Sequence, residues 1–149
     1  MPLHVIQSLT DPLTRLVADD PVRPEIPLNF RVSSTSEIFV LQNNDTLEPE
    51  AVVCCAYKDH VPSDTHELSC ATDLVTTVAV FYTIWSYYPG AGRRLIRSAA
   101  EWIQKNRTNI TEFVTLSPPT DMARIFHLRN GAKEFRINEN TVNYLYSID

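Results

Sequence analysis

The sequence predicts an α/β domain in which a mixed β-sheet is flanked by helices. The chain has 149 residues, of which 44% are apolar and 21% charged, as expected for one globular domain. Residues 75–88 are rich in β-branched and aromatic side chains and predict a long central strand. After them the pattern alternates between helix and strand, which is typical of a mixed sheet.

The first half of the chain predicts strands separated by turns. Residues 1–28 contain five prolines and are expected to be irregular, except for a short helix at Pro12–Ala18, since proline suits the first turn of a helix. The further elements expected in this half are strands at Asn29–Ser33, Glu37–Gln42 and Ala51–Tyr57, a turn at Asn43–Thr46 and a loop at Lys58–Ser69.

The second half predicts the strands and helices that could surround a ligand. A helix is expected from about Gly92 to Asn106, because its apolar residues recur at helical spacing, and a strand follows at Ile110–Leu116. Thr120 or Asp121 is placed to cap a helix that ends at Gly131. A last strand is expected at Thr141–Tyr146.

Composition and charge indicate which partners and which compartment to expect for this protein. A net charge of −5 argues against a nucleic-acid partner. Three cysteines, two of them adjacent, favour free thiols in a reducing compartment. No apolar run of about 18 residues and no leader is recognised, so no membrane partner and a cytoplasmic location are expected. His60 and His66 lie near acidic residues, but no tight ligand pair appears, and no metal is expected.

A glycine turn connects the long strand to the basic helix. Glycines 90 and 92 let backbone N–H groups approach a ligand, and the helix N-terminus favours an anion. The turn therefore predicts a pyrophosphate site, although a plain strand-to-helix turn with surface arginines is an alternative. The residues expected to bind are Tyr88, Gly90, Ala91, Gly92, Arg93 and Arg94.

This turn resembles the coenzyme-A loop of the GNAT acyltransferase superfamily, Gln/Arg-x-x-Gly-x-Gly/Ala after a long strand. Gly90 and Gly92 match that pattern, while Tyr87 stands where Gln or Arg is usual. The resemblance covers the chain from about Glu37 to its C-terminus. It implies a GNAT-like acyl-CoA-binding domain over residues 1–149, whose sheet splays between two central strands, with a coenzyme-A thioester as ligand.

Four further stretches resemble the C-terminal catalytic domain of malonyl-CoA decarboxylase, which is itself GNAT-like. They are FYTI (81–84), FVTLSP (113–118), FHLRNGA (126–132) and VNYLY (142–146). The resemblance implies that His127 is the catalytic histidine, and that Thr83 stands where that family has a serine. The Thr83 hydroxyl would then be a donor to a developing thioester oxyanion, beside donors from the strand backbone.

The expected function is that of a malonyl-CoA decarboxylase, which converts malonyl-CoA to acetyl-CoA and CO2. One alternative is an N-acetyltransferase that acts on an amine of a small molecule or protein; His127 stands four residues before Gly131, where many GNAT enzymes carry a tyrosine. Another is an inactive coenzyme-A-binding regulatory domain. The helix C-terminus is expected to raise the pKa of His127. The oligomeric state is left open, with a homodimer among the alternatives.

Overall fold

A computed structural model describes residues 2–72 and 75–148, so that Met1, Asp73, Leu74 and Asp149 lie outside the described residues. Its sheet has the strand order β1-β2-β3-β4-β5-β7-β6. Strands β4 and β5 are parallel, whereas the other neighbours are antiparallel, so the predicted mixed sheet is confirmed. The strands are β1 (Leu3–Ile6), β2 (Ser36–Gln42), β3 (Pro49–Lys58), β4 (Val78–Ser86), β5 (Glu112–Thr115), β6 (Lys133–Ile137) and β7 (Val142–Tyr146).

Helices cover both faces of the sheet. Two of them, α3 and α4, pack on one face, and a 3-10 helix with α1 and α2 packs on the other. None of the helices in the described part is long and apolar enough to cross a membrane. In chain order the helices are the 3-10 helix (Pro12–Asp19), α1 (Leu28–Arg31), α2 (Thr65–Ser69), α3 (Ala91–Asn106) and α4 (Asp121–Arg129).

Strands β4 and β5 part halfway along β4. Their register runs from Val78 opposite Glu112 to Phe81 opposite Thr115, and the β4 strand then continues to Ser86 without β5 beside it. On its other edge, β4 carries a bulge where pairing with β3 passes from Phe81 to Thr83. The predicted splay between the two central strands is therefore confirmed, and the open side of β4 faces a gap.

Packing explains why the expected helices form. Helix α3 buries its apolar residues against the sheet at helical spacing: Leu95, Ile96, Ala99, Ala100 and Ile103. For α4, the hydroxyl of Thr120 accepts the Ala123 N–H at 3.2 Å, and Gly131 ends the helix with φ of 95°. The positive φ explains the glycine, since other residues rarely adopt this conformation. The predicted cap and stop are both confirmed.

Four short elements differ from the sequence expectation. Residues 3–6 form an edge strand within the segment expected to be irregular, and Leu28–Arg31 is a helix rather than a strand, with Leu28 and Phe30 packed on the sheet. Helix α2 lies in the predicted loop, capped by the Asp64 carboxylate. Strand β6 is exposed at all five positions, so no buried alternation marks it in the sequence.

Candidate functional site

A cavity of about 370 Å³ lies in the opening between β4 and β5. Its walls come from the parted strand ends, from α4 and from residues 21–22. Both predicted catalytic residues, Thr83 and His127, line it, so the fold brings them to one cavity. None of the described residues that line it is Asp, Glu, Lys or Arg. The volume is within the range of small-molecule sites, which typically measure roughly 300–1,000 Å³. The wall of this cavity is uncharged.

A buried arginine bridges the two strands where they part. Arg23 Nε donates to the Tyr82 carbonyl at 2.9 Å, and Nη2 donates to the Leu116 carbonyl at 2.8 Å. Both carbonyls lie just past the last paired residues of β4 and β5, where the neighbouring strand no longer supplies a donor. The guanidinium therefore satisfies two strand ends that would otherwise be buried without partners, and it ties the N-terminal segment to the opening.

Asp20 connects Thr83 to this same segment. Its carboxylate accepts hydrogen bonds from Thr83 Oγ1 at 2.8 Å, from Arg31 Nη1 at 2.7 Å, and from the backbone N–H groups of Val22 and Arg23. Burial by itself raises the pKa of Asp20, but these hydrogen bonds outweigh burial and hold the pKa below its usual range. The carboxylate is therefore charged at neutral pH, and Thr83 is its donor.

The geometry of Thr83 differs from the expected oxyanion donor. A hydroxyl has one proton, and that of Thr83 is directed to Asp20. The side chain is buried and lines the cavity, but only its oxygen lone pairs remain for a ligand. Its hydroxyl therefore anchors β4 to the Asp20 carboxylate rather than donating into the cavity.

His127 is held against three aromatic rings near the C-terminus of α4. Its Nδ1 lies 2.7 Å from the Tyr146 hydroxyl on β7, and its ring stacks on Tyr144 with centroids 5.0 Å apart. The ring of Phe126 meets it edge-on at 5.1 Å. Nε2 has no hydrogen-bond partner among the described residues. The imidazole is thus fixed by one nitrogen, and the other is left for a ligand.

The expected rise in the pKa of His127 is wrong. Burial lowers the pKa to about 4, since the imidazole is 5% exposed and no described carboxylate contacts it. Burial is the cause of the shift, and the position near the helix C-terminus does not offset it. The histidine is therefore neutral at pH 7.

The N-terminus of α3 leaves backbone donors unused. Gly90 precedes the helix with φ of 78°, and no side chain caps the helix. The Ala91 N–H is already bonded to the Tyr88 carbonyl at 3.3 Å, so the donor expected from Ala91 is engaged. The N–H groups of Gly92 and Arg93 belong to the first turn, where a helix has no earlier carbonyl to pair with. These donors, at the positive end of a 16-residue helix, can bind an anion.

Gly92 brings this helix end next to the cavity. A Cβ at Gly92 would lie 2.9 Å from Cζ and 3.0 Å from Cε1 of Phe126, so α4 packs on α3 in this way only without a side chain there. Both Gly92 and Phe126 line the cavity. The unpaired N–H group of Gly92 therefore belongs to a residue of the cavity wall.

The remaining predicted binding residues lie at the surface. Tyr88 and Arg93 are exposed, and no ion pair engages Arg93 within the described ranges. Arg94 pairs with Glu50 at 3.3 Å, so part of its charge is already compensated. Tyr87, at the position where the coenzyme-A loop usually has Gln or Arg, donates its hydroxyl to Asp19 at 2.7 Å. Within the described residues Arg93 is therefore a charged side chain without an ion pair, and it lies in the same first turn of α3 as the unpaired N–H groups.

Several residues of the site were missed at the level of sequence. Asp20 and Arg23 lie in the proline-rich segment, which shows no functional motif, and Arg31 lies in residues 29–33, for which the sequence predicts only a strand. Tyr146 was recognised as part of an alternating strand and of the VNYLY stretch, but with no role of its own. In the described part of the chain, no group of three or more His, Cys, Asp or Glu side chains is arranged to hold a metal ion.

Comparison with solved structures shows that the chain has a GNAT-like fold. A malonyl-CoA decarboxylase from Agrobacterium vitis matches with a TM-score of 0.80 at 20% identity, over 99% of this chain. The match covers 60% of that protein, so this chain spans about three fifths of its length.

Acetyltransferases also share the fold over nearly their whole length. Arabidopsis thaliana NAA60, solved with a bisubstrate analogue, matches with a TM-score of 0.65 at 12% identity, over 99% of this chain and 98% of its own. Tetrahymena GCN5 matches with a TM-score of 0.58 at 14% identity, over 97% and 96%. No family model matches the sequence, and no curated protein matches it either.

Proposed function

We propose that the chain binds malonyl-CoA in the cavity between β4 and β5 and decarboxylates it to acetyl-CoA and CO2. The observation that carries the proposal is the pairing of a neutral cavity with the neutral imidazole of His127 at its wall. The decarboxylase from Agrobacterium vitis, which shares the fold, supports this choice of reaction.

Binding would use the helix end and the open strand. The diphosphate lies on the N–H groups of Gly92 and Arg93, with the Arg93 guanidinium as an additional cation. The pantetheine arm enters past Gly92 and follows the open side of β4, where alternate backbone groups lack a neighbouring strand. The acyl group then reaches the cavity wall beside His127.

The chemistry suits a cavity without charged walls. Loss of CO2 breaks the bond between the carboxylate carbon and the methylene carbon, and the electron pair moves into a thioester enolate. A carboxylate in a poorly hydrated, cation-free cavity loses solvation, and its departure as neutral CO2 removes that penalty. The negative charge then develops on the thioester oxygen, where a hydrogen bond from His127 Nε2–H stabilises it.

The proton that completes acetyl-CoA comes from water. Since the pKa of His127 is lowered to about 4, the charged imidazolium is scarce at pH 7 and a neutral imidazole is a weak acid. The histidine therefore acts as a hydrogen-bond donor to the enolate. The methylene carbon takes its proton from a water molecule that enters after CO2 leaves, and the hydroxide that remains passes to solvent, where it combines with CO2 to form bicarbonate.

N-acetyl transfer is the second candidate, because Arabidopsis NAA60 shares the fold over 98% of its length. Transfer to an amine requires removal of a proton from the ammonium form of the acceptor. The described cavity wall contains no carboxylate, and the neutral His127 has a lowered pKa that makes it a weak base. The lack of a suitable general base therefore makes decarboxylation the first proposal and acetyl transfer the second.

Parallel incubation of the purified protein with malonyl-CoA and acetyl-CoA, followed by mass spectrometry, tests the proposal. We expect acetyl-CoA and CO2 from malonyl-CoA without any acceptor, and loss of this product in His127→Ala but not in His66→Ala, whose histidine is exposed. Free thiol released only when an amine is present would favour transfer instead. Binding of both thioesters without any product would favour a regulatory domain and contradict the proposal.

A further inference from the structure

A second cavity, of about 240 Å³, lies on the face of the sheet that α1 and α2 cover. It is bounded by α1, by the end of β3 and by the C-terminal end of α2, and Phe30, Ala56 and Leu68 form apolar parts of its wall. The described residues that line it differ from those that line the cavity between β4 and β5. The second cavity is therefore separate from the proposed coenzyme-A site.

Lys58, in the last position of β3, is the one charged residue among the described residues that line the second cavity. It is 4% exposed, and its side chain donates one hydrogen bond to the Cys70 carbonyl. A lysine ammonium has three N–H donors, and within the described ranges no carboxylate forms an ion pair with it. Lysine is almost never fully buried without a paired charge, because an unpaired buried charge is costly. The second cavity thus contains a cation for which the described part of the chain supplies no counter-ion.

The Thr35 hydroxyl is a second donor in the wall of this cavity. The Ser36 hydroxyl gives its one proton to the Phe30 carbonyl, so the Ser33 hydroxyl is the donor in its 2.8 Å contact with Ser36. Thr35 Oγ1 lies 3.5 Å from Ser33 Oγ, which is too long for a strong hydroxyl hydrogen bond. The Thr35 proton is therefore available to a ligand beside Lys58.

We propose that the second cavity binds a small carboxylate. The carboxylate oxygens accept hydrogen bonds from the Lys58 ammonium and the Thr35 hydroxyl. A short hydrocarbon chain lies against Phe30 and Leu68. One ammonium matches the single charge of a carboxylate, whereas a phosphate group carries up to two charges on three acceptor oxygens. Hydrogen bonds between an ammonium and a carboxylate are roughly twice as strong as neutral ones, which gives this small cavity its selectivity for an anion.

Butyrate is the probe, and butyramide is its neutral control of similar shape. Isothermal titration calorimetry at constant ionic strength should show saturable binding of butyrate to the wild-type protein. Butyramide should bind at least about tenfold more weakly, since a hydrogen bond to a charged group contributes about that factor or more. Lys58→Met keeps an unbranched side chain without the charge and should weaken butyrate binding by a similar factor. Lys105→Met, at an exposed site on α3, is the matched control and should bind like wild type.

Thr35→Val tests the second donor, and it keeps the proposal open to test should Lys58→Met fail to fold. Valine preserves the shape of the side chain but removes its proton, so butyrate binding should weaken several-fold while butyramide binding changes less. Thr108→Val, at an exposed site, should leave both unchanged. Equal butyrate binding by Thr35→Val and wild type would exclude the Thr35 hydroxyl as a ligand donor.

The thiol of Cys70 shows where butyrate binds. Cys70 lines the second cavity and is exposed, whereas Cys54 and Cys55 are buried. Butyrate should slow alkylation of Cys70 by iodoacetamide over the concentration range in which calorimetry shows binding. Lys58→Met should lose this protection, and butyramide should give none at the same concentrations.

Three results would overturn the inference: no saturable binding to wild type, equal binding of butyramide, or unchanged butyrate binding by Lys58→Met. Asp73 follows this segment in sequence and lies outside the described residues. Binding of butyrate by Asp73→Asn but not by wild type would also overturn it, because a carboxylate of the chain would then be the occupant. None of these measurements depends on turnover of malonyl-CoA, so the inference and the proposed function can fail independently.

Discussion

The hydroxyl of Thr83 donates to the carboxylate of Asp20 at 2.8 Å, across 63 residues of sequence. The bond joins the open part of β4 to the segment that follows the 3-10 helix, and both partners are buried. Asp20 also holds Arg31, so the same carboxylate connects the N-terminal segment to the cavity wall. Thr83 therefore has a structural role that the sequence alone does not indicate.

Thr83→Val should therefore destabilise the protein, whereas Thr83→Ser should be close to wild type. Valine preserves the shape but removes a hydrogen bond to a charged group, which contributes roughly 1.5–3 kcal/mol. The free energy of unfolding in urea measures the loss, and Thr108→Val at an exposed site is the control. Equal stability of Thr83→Val and wild type would show that the bond to Asp20 contributes little.

Arg23→Met should also destabilise the protein, because it leaves the carbonyls of Tyr82 and Leu116 without donors at the point where the strands part. Each buried unsatisfied carbonyl costs roughly 1–3 kcal/mol, so a total loss of at least about 2 kcal/mol is expected in urea unfolding. Arg97→Met, on the exposed face of α3, should stay within about 0.5 kcal/mol of wild type. A similar small change in Arg23→Met would contradict the bridging role.

Gly92→Ala should weaken the contact between α3 and α4, since its Cβ would lie 2.9 Å from Phe126 Cζ. Overpacking of this kind lowers the free energy of unfolding by about 1–3 kcal/mol. Combining Gly92→Ala with Phe126→Leu should recover most of this loss, because leucine removes the ring atoms that the new Cβ would meet. Gly90→Ala is the comparison: it has open space but a positive φ, so its cost of about 1–2 kcal/mol should not be recovered by Phe126→Leu. Additive effects of Gly92→Ala and Phe126→Leu would exclude the steric cause.

The lowered pKa of His127 predicts a loss of stability in mild acid. The unfolded chain takes up a proton at this residue below about pH 6.5, whereas the folded protein does so only near pH 4. Between these values the unfolded state binds more protons, so stability falls as pH falls, by up to about 1.4 kcal/mol per pH unit.

Urea unfolding at pH 7, 6, 5 and 4.5 measures this slope. His127→Gln should be less stable at pH 7, because it loses the packing of the imidazole, but its stability should depend less on pH in this window. His66→Gln, at an exposed site, should keep the wild-type slope. A His127→Gln slope equal to that of wild type would show that His127 titrates normally.

Local patterns predicted the parts of the fold that local chemistry determines. Strand β4 and helix α3 form as their β-branched residues and apolar spacing predict. Helix α4 begins at the Thr120 cap and ends before Gly131, as expected. Each of these features depends on a few neighbouring residues. The glycine turn likewise predicted a helix end with free donors.

The environment of the site depends on contacts distant in sequence and was not predicted. Burial of His127 comes from Tyr144 and Tyr146, which reach it only because β7 lies beside β5. The spacing to Gly131 suggested a raised pKa, and packing reverses it. Asp20 and Arg23 bond to residues at the opening between β4 and β5. They lie in a proline-rich segment whose sequence shows no pattern that would indicate this role.

A crystal structure of the protein with acetyl-CoA tests the central claim most directly. We expect diphosphate oxygens within hydrogen-bond distance, about 2.7–3.2 Å, of the Gly92 or Arg93 N–H, and the acetyl carbonyl oxygen at a similar distance from His127 Nε2. A coenzyme bound elsewhere, or one whose thioester carbonyl points away from the imidazole, would contradict the account.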